Sequence, residues 1–192
     1  DSDGIAGQQL QMKVGNGEFE DVVTQPSASA RTTALTLSVG NTYQFRIAAT
    51  DSVGVSSAFA VGPAFLVSVS QEYSNAVTYT GTWTSAKVVG AYGNFVRYAT
   101  GANAKATYTF TAGRVAVAST LGPNRGKLDI YLDGVYKATI DLYSATQRNR
   151  RIISSANSLA RRSHTVEVRW RNDKNPASSG YRVDIDAFIT LR

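Results

Sequence analysis

From Gly126 to Leu142 apolar and polar residues alternate on either side of an Asp-Gly pair. Leu128, Ile130 and Leu132 precede Asp133-Gly134, and Tyr136, Ala138, Ile140 and Leu142 follow it. A two-residue period sends successive side chains to opposite faces of a strand. Asp-Gly between two such runs supplies the two positive-φ positions of a type I′ hairpin turn. The same period returns in Val77, Tyr79, Gly81 and Trp83, in Ala106, Tyr108 and Phe110, in Val115 and Val117, over 164–170, and over 181–191. No long run has a 3.6-residue period, so no amphipathic helix is available and the apolar residues must be buried between sheets. The sequence predicts an all-β chain, with its second part an antiparallel sandwich of eight to ten strands.

The first part has its own set of short strands. Leu10, Met12 and Val14 alternate, Gly15-Asn16-Gly17 interrupts, and Phe19 opens a second run, which reads as a hairpin. Further strands are expected at Thr36-Leu37, over 43–48 and over 58–67, separated by turn residues at 39–41 and 51–54. After Ser68 the composition shifts. The division expected is one module over 1–68, a short extended linker over 69–71, and a second module over 72–192.

Composition removes several classes of function. The chain has no cysteine, hence no disulfide framework, thiolate metal site or thiol nucleophile. Its apolar stretches are too short to span a membrane as a helix, and no secretory signal is readable at the start of this stretch. Net charge is uneven. Residues 1–71 carry three basic and six acidic side chains, net −3, and residues 72–192 carry 17 and 8, net +9. A basic second module concentrates anionic partners near its surface; a solvated face serving solubility is an equally valid reading of the same charge.

Leu37, Gly40, Tyr43, Phe45, Ile47, Ala49, Asp51 and Gly54 resemble the late strands of a fibronectin type III-like domain. The resemblance implies a corner role for Tyr43, its hydroxyl bonded to backbone a few residues upstream. The first module departs from that family in having no tryptophan before Trp83. Asp1-Ser2-Asp3-Gly4 resembles the loop after the family's core-tryptophan strand. The module is therefore expected to be partial, through truncation or through completion by another segment.

In the second part, Tyr79-x-Gly81-x-Trp83, Gly101-Ala102, Tyr108-x-Phe110, Gly113, the run from Gly126 to Gly134, His164-Thr165 and the closing Val183–Phe188 resemble a galactose-binding-like jelly roll. Domains of that type commonly serve as carbohydrate-binding modules of secreted bacterial enzymes and surface proteins. The resemblance thus implies a secreted or cell-surface location and a polysaccharide or glycan partner. It is specific for fold rather than ligand.

Sugar recognition uses flat aromatic faces and planar polar groups, usually in loops at one end of a sandwich. The richest segments are 91–94, 122–126, 143–151 and 170–180, and within them Tyr92, Arg125, Tyr143, Arg148 and Trp170 are the candidate contacts. Each has a structural alternative. Trp170 shares a strand face with Val166 and Val168, and Trp83 and Tyr79 read as core. Arg148, Arg150, Arg151, Arg161 and Arg162 form the densest charge, suited to carboxylates or sulfates of an acidic polymer. Nucleic acid is disfavoured, because no basic groove interleaved with aromatics is evident.

The jelly-roll resemblance also implies, as an alternative to no cofactor, a structural calcium held by Glu72, Asp184 and Asp186. The competing reading is a salt bridge between these carboxylates and nearby arginines. Catalysis has little support. His164 is the only histidine and reads as a turn feature, no nucleophile elbow is present, and no paired carboxylates face one cleft. The function expected is a non-catalytic carbohydrate-binding accessory region, with a structural or adhesive module of a surface assembly as the alternative.

Overall fold

The computed structural model describes residues 4–192. The chain divides into two compact units, one ending at Ser68 and one starting at Val69. The loop resemblance at the N-terminus falls on Asp1, Ser2 and Asp3, which lie outside the described residues. All regular structure in the described residues is strand apart from a single 3-10 turn. Among the described residues no helix is long and apolar enough to cross a membrane.

The first unit contains β1 (Ile5–Val14), β2 (Phe19–Asp21), β3 (Thr42–Asp51), β4 (Ala60–Val61) and the start of β5 (Phe65–Gln71). They form one antiparallel sheet in the order β2-β1-β3-β5, with β4 also on β3. The expected hairpin pairs Met12 with Glu20 and Lys13 with Phe19. Beyond the short β2, the Gln25 side chain takes over as a strand's partner would, accepting from the Leu10 N–H at 2.7 Å and donating to the Leu10 carbonyl at 3.0 Å. The Tyr43 hydroxyl accepts from the Ser38 N–H at 2.8 Å and donates to the Ser38 carbonyl at 3.2 Å, fastening the approach to β3.

Thr36-Leu37, expected as a strand, is irregular. Its backbone joins no ladder among the described residues. Leu10, Met12 and Val14 stand opposite Ile47, Phe45 and Tyr43 on one face. Leu10 and Tyr43 are buried there, while Val14 and Ile47 remain 40% and 37% exposed. Residues 69–71, expected as a linker, are the end of β5.

The second unit continues with β6 (Val77–Thr80), β7 (Thr84–Lys87), the 3-10 turn η1 (Tyr92–Asn94), β8 (Phe95–Ala99), β9 (Lys105–Thr111), β10 (Arg114–Leu121), β11 (Gly126–Leu132), β12 (Val135–Asp141), β13 (Arg148–Ala156), β14 (Ser163–Lys174), β15 (Val183–Ile185) and β16 (Ala187–Leu191). One sheet runs β12-β11-β14-β9-β6, a second β15-β8-β7, and β10 lies between β13 and β16. Alternate residues of these sheets meet in one core. Leu128 and Val168 come from the five-stranded sheet, Val117 and Phe188 from β10 and β16, and Ile185 from β15. Tyr108 stacks on Phe188 with centroids 4.6 Å apart and on Phe110 at 5.4 Å. The second unit is a β-sandwich whose apolar side chains are removed from water by the facing sheets.

Local turn chemistry behaves as the sequence predicts at Asp133-Gly134, where both residues have positive φ, 50° and 77°. Two other expectations are corrected. The arginine-rich stretch from Arg148 is a strand rather than a loop, with register shifts on both sides of the Ala118–Ser119 segment it pairs with. The run 181–191 is two strands, interrupted at Asp186.

His164 locks the Asp133 turn to the loop before β14. Its Nδ1 lies 2.7 Å from Asp133 Oδ2 and its Nε2 lies 2.8 Å from the Ala160 carbonyl. Both neighbours are acceptors, so only the doubly protonated ring satisfies both contacts. The hydrogen bond with Asp133, then that with Ala160, raises the His164 pKa. A raised histidine pKa stabilises fully below the unfolded value of about 6.5 and loses that contribution as pH rises through the folded value. In urea unfolding from pH 5.5 to 9, the wild-type advantage over His164→Gln is expected to shrink as pH rises. A pH-independent difference would contradict the lock.

Candidate functional site

The hairpins of the second unit send several loops to the end opposite Asp133-Gly134. There the segments 122–125, 142–147 and 175–182 are cross-linked by backbone and short polar side chains. Gly122 bridges Tyr143, and the Ser144 N–H donates to the Gly122 carbonyl at 3.2 Å. The Ser179 N–H donates to the Pro123 carbonyl at 2.9 Å, and Ser178 Oγ donates to the Arg125 carbonyl at 2.7 Å. Asn175 Nδ2 donates to Asp141 at 2.8 Å. At Gly126 a Cβ would lie 2.7 Å from the Tyr181 carbonyl oxygen, so this crossing requires glycine. The turn at 88–94 joins through Asn149 Nδ2, which donates to the Val89 carbonyl at 2.7 Å. Four segments distant in sequence thus become one surface.

Beneath it lies a fully buried carboxylate. Asp184 accepts from Arg125 Nη2 at 2.7 Å, from Arg182 Nε at 2.6 Å, and from the Thr120 hydroxyl. Arg125 Nη2 also donates to Thr120 Oγ1 at 3.0 Å, and Ser119 Oγ donates to the Asp184 carbonyl at 2.7 Å. A charge without water is tolerated only when paired and hydrogen-bonded, and here two arginines from two loops perform that role. This corrects two expectations. Arg125 is 3% exposed and committed to Asp184, so it is part of the foundation rather than a ligand contact. Asp184 is likewise committed to the arginines and does not join a calcium site.

Glu72 and Asp186 behave differently. Both are buried, at 2% and 0% exposure, and Glu72 Oε2 and Asp186 Oδ2 have no hydrogen-bond partner. The Gln71 amide oxygen is also buried without a partner. Asp186 and Gln71 bear on η1, and the Glu72 carboxyl is near enough to Asp186 for its charge to act on it. The Tyr92 N–H donates to Asp186 Oδ1 at 2.8 Å, and the Gln71 amide oxygen abuts Gly93, where a Cβ would meet it. Burial, with a contribution from the Glu72 charge, pushes the Asp186 carboxyl up to about 6, against the opposing Tyr92 hydrogen bond; burial raises Glu72 as well. Buried carboxylate and amide oxygens without partners are of the ligand type that calcium takes, six to eight at a time. Two carboxylates and an amide oxygen supply part of such a set, and among the described residues no third acidic or histidine side chain joins them.

Of the remaining candidates, Arg148 is exposed at the start of β13, paired with Leu121. Tyr143 is half-buried, its N–H donating to Asp141 Oδ1 at 2.9 Å. Tyr92 is half-buried, with the Arg150 guanidinium carbon 4.9 Å from its ring centroid. Trp170 packs against the core, and its Nε1–H donates to the Tyr181 carbonyl at 2.9 Å, so it braces the 175–182 loop from below. Tyr92, Tyr143 and Arg148 are brought to the loop end, while Arg125 and Trp170 support it. Sequence reasoning missed Gln71, whose only signal was its place beside Glu72. It also left Arg150 in the general basic cluster, although its position against Tyr92 sets it apart.

No protein-family model matches the sequence, and neither does any curated protein. Solved structures of similar shape include a two-domain esterase active on acetylated mannans, co-crystallized with mannopentaose, at 12% identity and TM-score 0.49 over 65% of this chain and 36% of that one. The present chain therefore spans about a third of the esterase's length. They also include the CBM36-1 domain of a multidomain xylanase from the hindgut metagenome of Trinervitermes trinervoides, at 14% identity and TM-score 0.45 over 66% of this chain and 96% of that one. A family 35 carbohydrate binding module from Clostridium thermocellum matches at 16% identity and TM-score 0.43 over 64% of this chain and 97% of that one.

Proposed function

We propose that the second unit is a non-catalytic carbohydrate-binding module, part of a secreted or cell-surface protein, and that it grips glycan at the loop end. The observation carrying this reading is the convergence of the 88–94, 122–125, 142–147 and 175–182 segments onto one pinned surface. That surface presents Tyr92, Tyr143 and Arg148 above the buried Asp184 network. A rigid base lowers the ordering cost of binding, and planar polar and aromatic groups suit sugar hydroxyls and C–H faces. The module's net positive charge favours acidic polymers. Tethering a parent protein in this way raises its local concentration on the polymer.

Affinity electrophoresis of the whole chain against neutral and acidic polysaccharides is expected to show retention on at least one. Tyr143→Ala should weaken it by about 1 kcal/mol, roughly fivefold. Absence of retention on every polymer would overturn this reading and favour assembly, for which the half-exposed apolar face at Val14 and Ile47 of the first unit speaks.

Calcium belongs to the same proposal as a structural ion held by Glu72, Asp186 and Gln71. It would neutralise two buried carboxylates and fix η1, and with it Tyr92. Calcium at about a hundredfold excess over its Kd should raise the melting temperature by roughly 5 °C or more. Glu72→Gln with Asp186→Asn should abolish the rise. An unchanged melting curve in the wild type would remove the ion from the account.

A further inference from the structure

Arg150 occupies a position the strand around it does not favour. It lies inside β13 yet has φ +52°, in the left-handed region that non-glycine residues seldom adopt. The ladder to β10 slips here, since Ser119 pairs with Arg151 but Leu121 pairs with Arg148. Such a bulge re-aims a side chain, and a strained backbone persists only where surrounding contacts hold it. Two contacts do so. Arg150 Nη2 donates to the Ala91 carbonyl at 3.2 Å, and the guanidinium lies over the Tyr92 ring. Tyr92 is itself pinned by its N–H to Asp186.

The charge of Arg150 is held in no ion pair, although it reaches the buried Asp186 carboxyl and opposes the upward shift of its pKa. Arg125, Arg162, Arg169, Arg171 and Arg182 each form an ion pair, whereas among the described residues Arg150 and its neighbours Arg148 and Arg151 form none. A guanidinium has five N–H donors, and one of those of Arg150 is engaged. The guanidinium also covers one face of Tyr92, leaving that face closed to a sugar ring.

We propose that Arg150 is the anion-reading group of the loop end, taking the carboxylate or sulfate of an acidic saccharide in its planar fork. Tyr92 is then a positioning residue that orients the guanidinium rather than a stacking platform, and Arg148 and Arg151 extend the positive edge. This rests on the glycan-binding reading and names its ligand class. A diffuse basic surface would attract the same polymers, but lysine would serve it as well as arginine; a bidentate fork requires arginine.

The test compares the whole chain on polygalacturonate and on its methyl ester, which has the same backbone without the charge. Wild type is expected to hold the acid form at least about tenfold more tightly than the ester. Arg150→Lys should lose about tenfold on the acid form with no change on the ester, at an unchanged melting temperature. Tyr92→Phe, which keeps the ring, should bind as wild type, while Tyr92→Leu should share the Arg150→Lys loss. If Arg150→Lys alters the melting curve, the Tyr92 pair decides, and equal binding by both Tyr92 variants overturns the proposal. Wild-type affinity in Arg150→Lys with an unchanged melting curve, or equal affinity for acid and ester, also overturns it while leaving glycan binding intact. Failure on these polymers and on every neutral one overturns both.

Discussion

The carboxylate of Asp184 has no access to water, and the loop end is built around its compensation. Arg125 enters from the β10–β11 loop, Arg182 from the β14–β15 loop, and Thr120 from β10. Removing either arginine would leave a buried charge with too few donors, a loss that costs about 3–5 kcal/mol in comparable pairs. The loops therefore cannot move independently. Ser178, Ser179 and the close crossing of Gly126 by Tyr181 then fix the surface above. A module that binds a polymer needs this stiffness, because each ordered loop residue would otherwise subtract its entropy from affinity.

A second buried acidic centre, Glu72 with Asp186, lies along the same chain but is balanced differently. Asp184 is satisfied by cations of the protein, whereas oxygens of Glu72, Asp186 and Gln71 are left without partners. The contrast separates a foundation that is complete within the chain from the centre at which a structural calcium is proposed. Asp186 also breaks the last strand in two and receives the Tyr92 N–H. The position of η1, and through it of Arg150, thus depends on this centre.

What the sequence made legible was set locally. Asp133-Gly134 carries its turn geometry in two residues, and the alternation of β9, β11 and β14 records a face buried along its whole length. Readings failed where a partner far along the chain decides. Arg148–Ala156 lacks clean alternation because shifts of register interrupt its pairing with β10. Asp186 divides the last strand while bonded to a turn 94 residues earlier. Arg125 looked like a surface arginine beside Asn124 because Asp184, 59 residues on, is invisible to local pattern. Thr36-Leu37 has the residues of a strand, but a strand is a relation to a partner, and none is present among the described residues of that unit.

On the proposed function, the loop end and no other surface of the second unit receives the ligand. A 15N–1H titration of the whole chain with an oligogalacturonate tests it residue by residue. Shift changes are expected to concentrate in 89–94, 122–124, 143–151 and 175–180. Changes centred instead on the sheet face that carries Lys105, Tyr131 and Arg169 would contradict it.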